Sequence, residues 1–494
     1  MNQSKLVSVA VAILGLFLAL ALLLNSLTSG HNMIGELYKF IPIVFAIVGF
    51  AAPMQSTYLL FFCGAFMGYL KKVMVLDGYY GFLLQYLVVG APAILVAAMC
   101  AGTLVQIAFN PKSTKRDWIK MLSFIVLSAI VVAFLYLKAG AIQIAIMGGV
   151  YINAAWVVEY QFREKEKLHK LIKFIITILL FSSLFGFYQW IFGLTYLDLE
   201  YLQYGYEAAA VNIVDARPFA TYGESGHFGY AMLFAVTLLV WIFTRARNEK
   251  NISGPARILF VLLITVASLG VVCSLKKAPI LSLAILPFTI FCLRRAWVSV
   301  TAASSLAAFV LASIFYGDAI RDWCREASET TTQLHPALTL NTINTRIKSF
   351  EQIGDPESGI KWFGGGDDQT HSHTAITDIL IVVGYGPAIV VGLGGFLGYL
   401  IFRVKLGRML GGWDSGEGRQ VAILIGYFLA FAAATLLGTN SFQAFPGSLT
   451  MWIVFGFSAL VLRECKNKQA SENMGEVEEK GYPKLVAGGA ARSA

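Results

Sequence analysis

The run LVSVAVAILGLFLALALLLNSL at residues 6–27 contains no charged side chain and is long enough to cross a bilayer as an α-helix. Similar runs recur along the chain, which is 57% hydrophobic and only 14% charged, whereas soluble domains are about 25% charged. Because lipid offers the backbone no hydrogen-bond partners, each run is expected to be a helix. The sequence therefore predicts an all-α, polytopic bundle of transmembrane helices. No small-residue pattern for signal-peptide cleavage follows the first run. We therefore interpret this run as a retained span.

The apolar runs define about fourteen spans, each near the length that a transmembrane helix needs. Their approximate positions are 6–27, 37–54, 56–70, 82–108, 119–138, 141–159, 171–193, 227–244, 256–273, 279–293, 297–316, 375–402, 419–438 and 446–463. Merging the second and third would leave thirteen, so we expect about 12–14 spans. Residues 1–170 are N-terminal transmembrane helices, residues 171–463 form a transmembrane core, and residues 464–494 are expected to be a disordered cytoplasmic tail.

Basic residues are concentrated in alternate loops between the predicted spans. They lie at residues 112–116, 163–170, 245–257, 294–295 and 403–408 and in the tail from residue 463. Loops rich in lysine and arginine remain in the cytoplasm, so this pattern explains the net charge of +9 and indicates how the chain is oriented. The opposite face then carries the loops at about 194–226 and 317–374 and the turn 274–279. Lys71 and Lys72 break the pattern, because the span count places them outside the cytoplasm.

The longest polar interval runs from Gly317 to His373 and ends in FGGGDDQTHSH at residues 363–373. Polar intervals of this length usually carry function, since a short turn is enough to connect two helices. Two aspartates precede His371 and His373, and a neutral histidine is suited to act as a general base near neutral pH. The spacing matches no established metal-ligand pattern, so no metal is predicted. A solvated polar loop is the simpler alternative.

A second candidate is DARPFATYGESGHFGY at residues 215–230, at the entry to a span. Its Arg217 offers a guanidinium fork that binds phosphate through two hydrogen bonds and stays charged when partly desolvated. The glycines that follow allow the backbone to approach a ligand closely. The alternative is an arginine that anchors the span at the membrane interface.

The third candidate is the turn SLKKAP at residues 274–279, which joins two predicted spans on the same face. Two lysines are unusual there, because turns on the outer face seldom carry basic residues. Lys276 and Lys277 therefore suggest an anion site suited to a diphosphate, and contact with lipid headgroups is the alternative of equal weight. Arg346, within NTRIKSF at residues 344–350, is a further cation on this face.

In order and spacing, these features resemble the O-antigen ligase and O-antigen polymerase superfamily of bacterial envelope glycosyltransferases. Members typically have an outward arginine followed by a glycine-containing segment, as in Arg217 to Gly223. They have a basic turn before a span, where this chain has Lys276 and Lys277 in place of the usual arginine. A large periplasmic loop with an arginine and a glycine-rich turn corresponds to Arg346 and GGG at residues 364–366.

The same resemblance extends to the end of the polar interval. The family closes this loop with a histidine and a small polar residue, then nine residues and a glycine, and His373, Thr374 and Gly384 follow that spacing. His227 stands where asparagine is common. The similarity covers about residues 170–440.

The resemblance implies a GT-C-like bundle in the bacterial inner membrane that acts as a metal-independent, inverting glycosyltransferase without a cofactor. Its donor would be an oligosaccharide on undecaprenyl diphosphate at the periplasmic face. Arg217, Lys276, Lys277 and Arg346 would hold the diphosphate and stabilise negative charge on the leaving group. His373 would position or deprotonate the hydroxyl of the acceptor sugar.

The resemblance also suggests contacts and partners. Further substrate contacts are expected from Glu224, His227, Gly365 and His371. Aromatic side chains that would stack on sugars, or form an interfacial belt, are Tyr201, Tyr204, Tyr206 and Trp362. The implied partners are the lipid-linked oligosaccharide, an acceptor glycan, membrane lipid and a chain-length regulator, with no nucleic acid.

Two other functions remain open beside an exopolysaccharide or O-antigen polymerase. An O-antigen ligase, which joins glycan to the lipid A core, would use the same residues, and the sequence barely separates the two enzymes. A polysaccharide or lipid-linked sugar transporter also suits many spans and an amphipathic substrate. Against transport, the sequence shows no two-half repeat, and its spans contain few charged residues.

Overall fold

The computed structural model describes residues 41–76, 90–111, 113–139, 149–203, 218–222, 225–249, 252–316, 319–320, 322–323, 325–326, 384–437 and 447–481. All regular secondary structure in these ranges is helical, which confirms the all-α prediction. In chain order the helices are α1 (Ile41–Ala51), α2 (Pro53–Leu76), α3 (Ala91–Phe109), α4 (Lys115–Ala139), α5 (Ala154–Gln161), α6 (Lys165–Phe192), α7 (Tyr196–Gln203), α8 (Ser225–Asn248), α9 (Gly254–Cys273), α10 (Lys277–Arg294), α11 (Ala296–Phe315), α12 (Tyr385–Met409), α13 (Gly416–Leu437) and α14 (Gly447–Gly481).

Seven helices in the described ranges are long and apolar enough to cross a membrane: α3, α6, α8, α9, α10, α12 and, over Gly416–Ala434, α13. These seven helices are consistent with a multi-pass membrane protein. The predicted span 6–27 and nearly all of the predicted loop 317–374 lie outside the described residues. The total of 12–14 spans therefore stays a prediction.

Helices α1 and α2 meet at a sharp bend, with only Ala52 between them. Pro53 has no N–H group to donate to the preceding turn, which interrupts the helical hydrogen-bond ladder. The Ser56 hydroxyl donates instead to the carbonyls of Val48 and Ala52, at 2.9 Å in each case. A straight helix rises about 12 Å between residues 48 and 56, at 1.5 Å per residue, so the bond to Val48 requires the bend. The two spans predicted here are thus separate helices.

Other helix boundaries differ from the prediction. Helix α2 continues to Leu76 instead of ending near residue 70, so Lys71 and Lys72 lie in a helix and not in a loop. A buried acidic partner for Lys72, described below, makes its charge compatible with that position. The predicted loop 194–226 begins with the short helix α7.

Helix boundaries also differ near both ends of the predicted core. Within the predicted span 141–159, a 3₁₀ turn at Tyr151–Asn153 leads into the short α5. At the other end, α14 continues to Gly481, so the tail predicted to begin at residue 464 is helical over its first part. The lysine, glutamate and glutamine content of residues 466–481 favours helix, which explains the extension.

Helix α8 is the centre of the bundle. Its buried residues lie on every side of the helix from Ser225 to Trp241, as expected of a helix that is apolar all round. Aromatic contacts tie it to three neighbours, with ring centroids at 6.2 Å between Phe234 and Phe61 of α2, 4.6 Å between Tyr230 and Phe431 of α13, and 5.7 Å between Trp241 and Phe457 of α14.

The loops that the sequence assigns to the cytoplasm meet at one end of the bundle, here called the basic end. Its segments in the described ranges are residues 110–111, 113–117, 159–164, 245–249, 293–295, 403–416 and 463–464. They are joined by the ion pairs Arg163–Asp117, Arg245–Glu464 and Arg294–Asp414, and by hydrogen bonds from Asn248 to the carbonyl of Gly416 (3.0 Å) and from Arg403 to the carbonyl of Leu293 (2.8 Å).

Two carboxylates at the basic end are held in their charged form. Partial burial alone would raise the pKa of Asp117, but hydrogen bonds from Arg163 and Thr114 hold that pKa below its usual value. A hydrogen bond from Arg294 likewise lowers the pKa of Asp414. Both carboxylates are therefore ionised at neutral pH, and their contribution to stability is lost only as the pH falls through these lowered pKa values.

The other end of the bundle, here called the opposite end, follows from the helix directions. Helices α6 and α9 begin at the basic end, while α8 and α10 finish there. Their remaining termini, Phe192, Cys273, Ser225 and Lys277, therefore lie together at the opposite end. This is the end that carries the candidate segments.

Candidate functional site

The segment Pro218–Tyr222, which leads toward α8, is bound to the side of α6. The side-chain oxygen of Gln189 accepts hydrogen bonds from the backbone N–H groups of Phe219 (3.0 Å) and Ala220 (2.7 Å). The hydroxyls of Ser182 and Thr221 are 3.0 Å apart, and Ser182 lies about two turns of α6 before Gln189. Side chains of one helix thus hold successive residues of this segment in place.

A buried ion pair lies directly beneath the same segment. The ammonium nitrogen of Lys72, from α2, is 2.7 Å from Oδ1 of Asp198 in α7, and the two side chains are 0% and 1% exposed. The ammonium also donates to the carbonyl oxygen of Ala220 (3.3 Å) and lies 4.0 Å from the centroid of the Phe219 ring. The lysine thereby joins α2 and α7 to the segment.

The second carboxylate oxygen of Asp198 is also bonded. Its Oδ2 accepts from the Gln189 amide (2.8 Å) and from the backbone N–H (3.1 Å) and hydroxyl (2.7 Å) of Thr195. A charge removed from water needs such partners, because desolvation otherwise costs several kcal/mol. We call Lys72, Asp198 and Gln189 the polar cluster.

The lysine turn is built at the start of α10. Lys276 is extended and Lys277 is the first helical residue, while the first turn of α10 has no acidic side chain. The Ser274 hydroxyl donates to the carbonyl of Val271 (2.6 Å) and accepts from the backbone N–H of Lys276 (3.4 Å). Basic side chains at the positive end of a helix dipole are compatible with an anionic ligand.

The start of α8 packs closely against the lysine turn. A Cβ atom on Gly229 would lie 2.7 Å from both the Ser274 hydroxyl and Cγ of Pro279, so only glycine fits there. His227 comes two residues earlier and is half-buried. The histidine, the turn and the segment 218–222 therefore share the opposite end.

Strained backbone marks both candidate segments. Ala220 and Leu275 are the non-glycine residues with positive φ in the described ranges, each at +50°. Such a conformation costs about 1–2 kcal/mol and persists where surrounding contacts enforce it, often at functional sites. One of these residues lies in the segment before α8 and the other in the lysine turn.

The lysine turn is expected to depend on this left-handed conformation. Leu275→Ile should lower the free energy of unfolding by about 1–2 kcal/mol, because a β-branched side chain is poorly accommodated at positive φ. Leu275→Asn should be tolerated better, since asparagine enters this region readily. Denaturation in detergent micelles measures both, and equal losses would show that side-chain packing, and not backbone conformation, matters at this position.

The described residues include only part of the site expected from the sequence. His227, Lys276 and Lys277 lie at one end of the bundle, and their assignment to a binding site stays a prediction. Six other candidates, Arg217, Glu224, Arg346, Gly365, His371 and His373, lie outside the described residues. Among the aromatic candidates, Tyr204, Tyr206 and Trp362 also lie outside them.

One expected substrate contact is wrong. Tyr201 was expected to stack on sugar or to lie in an interfacial belt, but its side chain is 0% exposed. The Lys71 ammonium is 5.6 Å from the centroid of its ring. Because of its position in α7, the Tyr201 side chain faces α2. Tyr201 is therefore a packing residue.

The polar cluster is not predicted by the sequence patterns described above. Its clearest signal was the Lys71-Lys72 pair, which contradicted the expected distribution of basic residues. Asp198 and Gln189 gave no comparable signal, because each is an ordinary residue near a span end. Within the described ranges, no group of three or more histidine, cysteine, aspartate or glutamate side chains is arranged to hold a metal ion.

No protein-family model, curated protein or solved structure matches the chain. The resemblance to the O-antigen ligase and polymerase superfamily therefore stays a prediction that rests on the motifs quoted above.

Proposed function

We propose that the chain is a membrane glycosyltransferase that transfers an oligosaccharide from undecaprenyl diphosphate to a growing glycan. In this proposal it is an exopolysaccharide or O-antigen polymerase with a GT-C-like fold, and it works at the periplasmic face of the bacterial inner membrane. The segment 317–374 supplies a large extracytoplasmic loop. The reaction is inverting and uses no metal.

The observation that carries the proposal is the meeting of two segments at one end of the bundle. Pro218–Tyr222 and the turn 274–277 are distant in sequence, yet both pack against the start of α8, and each contains a strained residue. Cationic side chains at the start of α10 suit a diphosphate, because its charge complements both the ammonium groups and the helix dipole. A polyprenyl tail would lie in the surrounding lipid.

The chemistry follows from the charges that change during transfer. When the bond between sugar and diphosphate breaks, negative charge builds on the leaving phosphate oxygen, and Lys276, Lys277, Arg217 and Arg346 stabilise it. His373 accepts the proton of the attacking acceptor hydroxyl. Attack opposite to the leaving group inverts the anomeric carbon.

A transporter is the second candidate, because the Lys72–Asp198 pair is a buried charge pair between helices. Charged groups inside a bundle are a feature of transport paths. The bond from Lys72 to Ala220 and the bonds to Asp198 from Gln189 and Thr195 support a structural role more strongly. An O-antigen ligase is the alternative within the enzyme class.

Purified protein in nanodiscs with undecaprenyl-diphosphate-linked repeat units tests the proposal. A ladder of glycan lengths is expected from a polymerase, whereas transfer of preformed polymer to lipid A core is expected from a ligase. Failure to form a glycosidic bond with either acceptor would overturn the enzyme assignment. Movement of the lipid-linked sugar across vesicles without new bonds would support the transporter.

Substitutions in the lysine turn test its role in binding diphosphate. Lys277→Ala should lower kcat/KM about tenfold to hundredfold, the effect of losing one hydrogen bond to a charged group. Lys277→Arg should retain most activity, because it keeps the charge. Lys167→Ala, which removes a lysine exposed at the basic end, is the matched control and should leave kinetics unchanged. Equal activity of Lys277→Ala and wild type would remove Lys277 from the site.

A further inference from the structure

We propose that the polar cluster of Lys72, Asp198 and Gln189 is a positioning device that holds Pro218–Tyr222 in the conformation needed for donor binding. The inference rests on the proposed function, because it assigns these residues a role at the same site. The residues touch the segment and not the substrate, so they are positioning residues and not catalytic ones.

Gln189 connects the two parts of the cluster. Its oxygen accepts from two successive backbone N–H groups of the segment, and its nitrogen donates to Asp198 (2.8 Å). An amide group can satisfy both roles in only one orientation, since its oxygen accepts and its nitrogen donates. Asp198 therefore fixes the orientation of Gln189, and Gln189 fixes the segment.

Ala220 is held from two sides. Its N–H group donates to Gln189 of α6, while its carbonyl oxygen accepts from Lys72 of α2. An alanine at φ +50° pays a steric penalty, so it keeps this conformation only while its surroundings enforce it. Losing either partner is expected to release the segment toward ordinary backbone conformations.

The segment is coupled to the start of α8. The rings of Tyr222 and Phe228 are 6.2 Å apart, and the Phe228 ring packs on Gly186 of α6, where a Cβ atom would clash. The next residue, Gly229, packs on the lysine turn. A shift of the segment is therefore transmitted to His227 and to the groups proposed to hold diphosphate.

Gln189→Met tests this role, since methionine is similar in length but makes none of the three hydrogen bonds of Gln189. Hydrogen exchange of the peptide containing Phe219 and Ala220 should accelerate at least about tenfold, because both amides lose their acceptor. Gln161→Met is the matched control, since Gln161 bonds Thr103 (2.9 Å) and Gln106 (2.8 Å) toward the basic end. It should leave exchange in this peptide unchanged.

The kinetic readout separates positioning from general destabilisation. Per folded molecule, Gln189→Met should raise KM for the lipid-linked donor about tenfold, or roughly 1.4 kcal/mol of binding. A residue that only stabilises the fold would lower the amount of folded protein and leave KM of the remainder unchanged. Unchanged KM and kcat per folded molecule would overturn the proposal.

Two outcomes distinguish this inference from the proposed function. If wild-type protein forms no glycosidic bond, the proposed function fails, while the exchange measurement still reports whether the cluster holds the segment. If exchange at Phe219 and Ala220 does not change in Gln189→Met, the inference fails whatever the activity. Should that variant not accumulate, Gln189→Asn keeps a polar amide but is shorter by one methylene, so it cannot bond Asp198 and the segment together, and it should accelerate exchange about threefold. Unchanged exchange there would also overturn the inference.

Discussion

Lys72→Met is expected to lower the free energy of unfolding by about 3–5 kcal/mol, the usual cost of leaving one partner of a buried ion pair without the other. Asp198 would remain buried next to an apolar side chain, and Ala220 would lose its bond from the ammonium group. Unfolding in mixed detergent micelles measures the loss, and membrane yield should fall with it.

The double variant Lys72→Met/Asp198→Asn distinguishes the stability lost through an unpaired buried charge from the stability lost through poorer packing. With both charges removed, at least half of the lost stability should return, because the desolvation penalty disappears with the charge. Lys167→Met, which breaks the pair with Glu164 at the basic end, where the two side chains are 40% and 68% exposed, should cost much less. A double variant no more stable than Lys72→Met would show that the ion pair is not the source of the effect.

Arg217→Ala and His373→Ala are each expected to reduce polymer formation at least about hundredfold, the size of effect seen when a group that stabilises developing charge is removed. Arg217 would no longer stabilise the leaving diphosphate, and His373 would no longer accept the acceptor proton. Glycan ladders from cells lacking the chromosomal copy measure the loss, while membrane fractionation checks that each variant inserts.

Matched controls exist at the basic end of the bundle. His169→Ala removes an exposed histidine near the start of α6, and Arg257→Ala removes an exposed arginine near the start of α9. Both should preserve wild-type polymer, because they lie away from the proposed site. Wild-type ladders from Arg217→Ala or His373→Ala would remove that residue from the mechanism.

Most of the helical architecture could be predicted from the composition and the charge distribution of the sequence. Apolar runs of sufficient length can only be helices in lipid, and the described helices α8, α9 and α10 begin within two residues of their predicted spans. The alternation of basic loops correctly grouped the segments that meet at the basic end. The predicted end of α2 near residue 70 is wrong, because a buried acidic partner allows Lys72 to lie within the helix.

Only part of the candidate site could be predicted from the sequence. Lys276, Lys277 and His227 stood out because their residue types and neighbouring glycines suit an anion. Gln189 and Asp198 did not stand out, since their roles depend on bonds to Ala220 and Lys72. Such bonds arise from packing between helices that are far apart in the sequence.

By itself, the sequence determined the helical architecture of the described residues, with apolar helices long enough to cross a membrane and basic loops at one end, because the cost of exposing polar backbone to lipid acts on each run separately. Only the tertiary structure decided that Lys72 is buried against Asp198, across 126 positions of sequence, and that both support the segment before α8. The physical reason is that a buried charge is stable only where its partners converge in space.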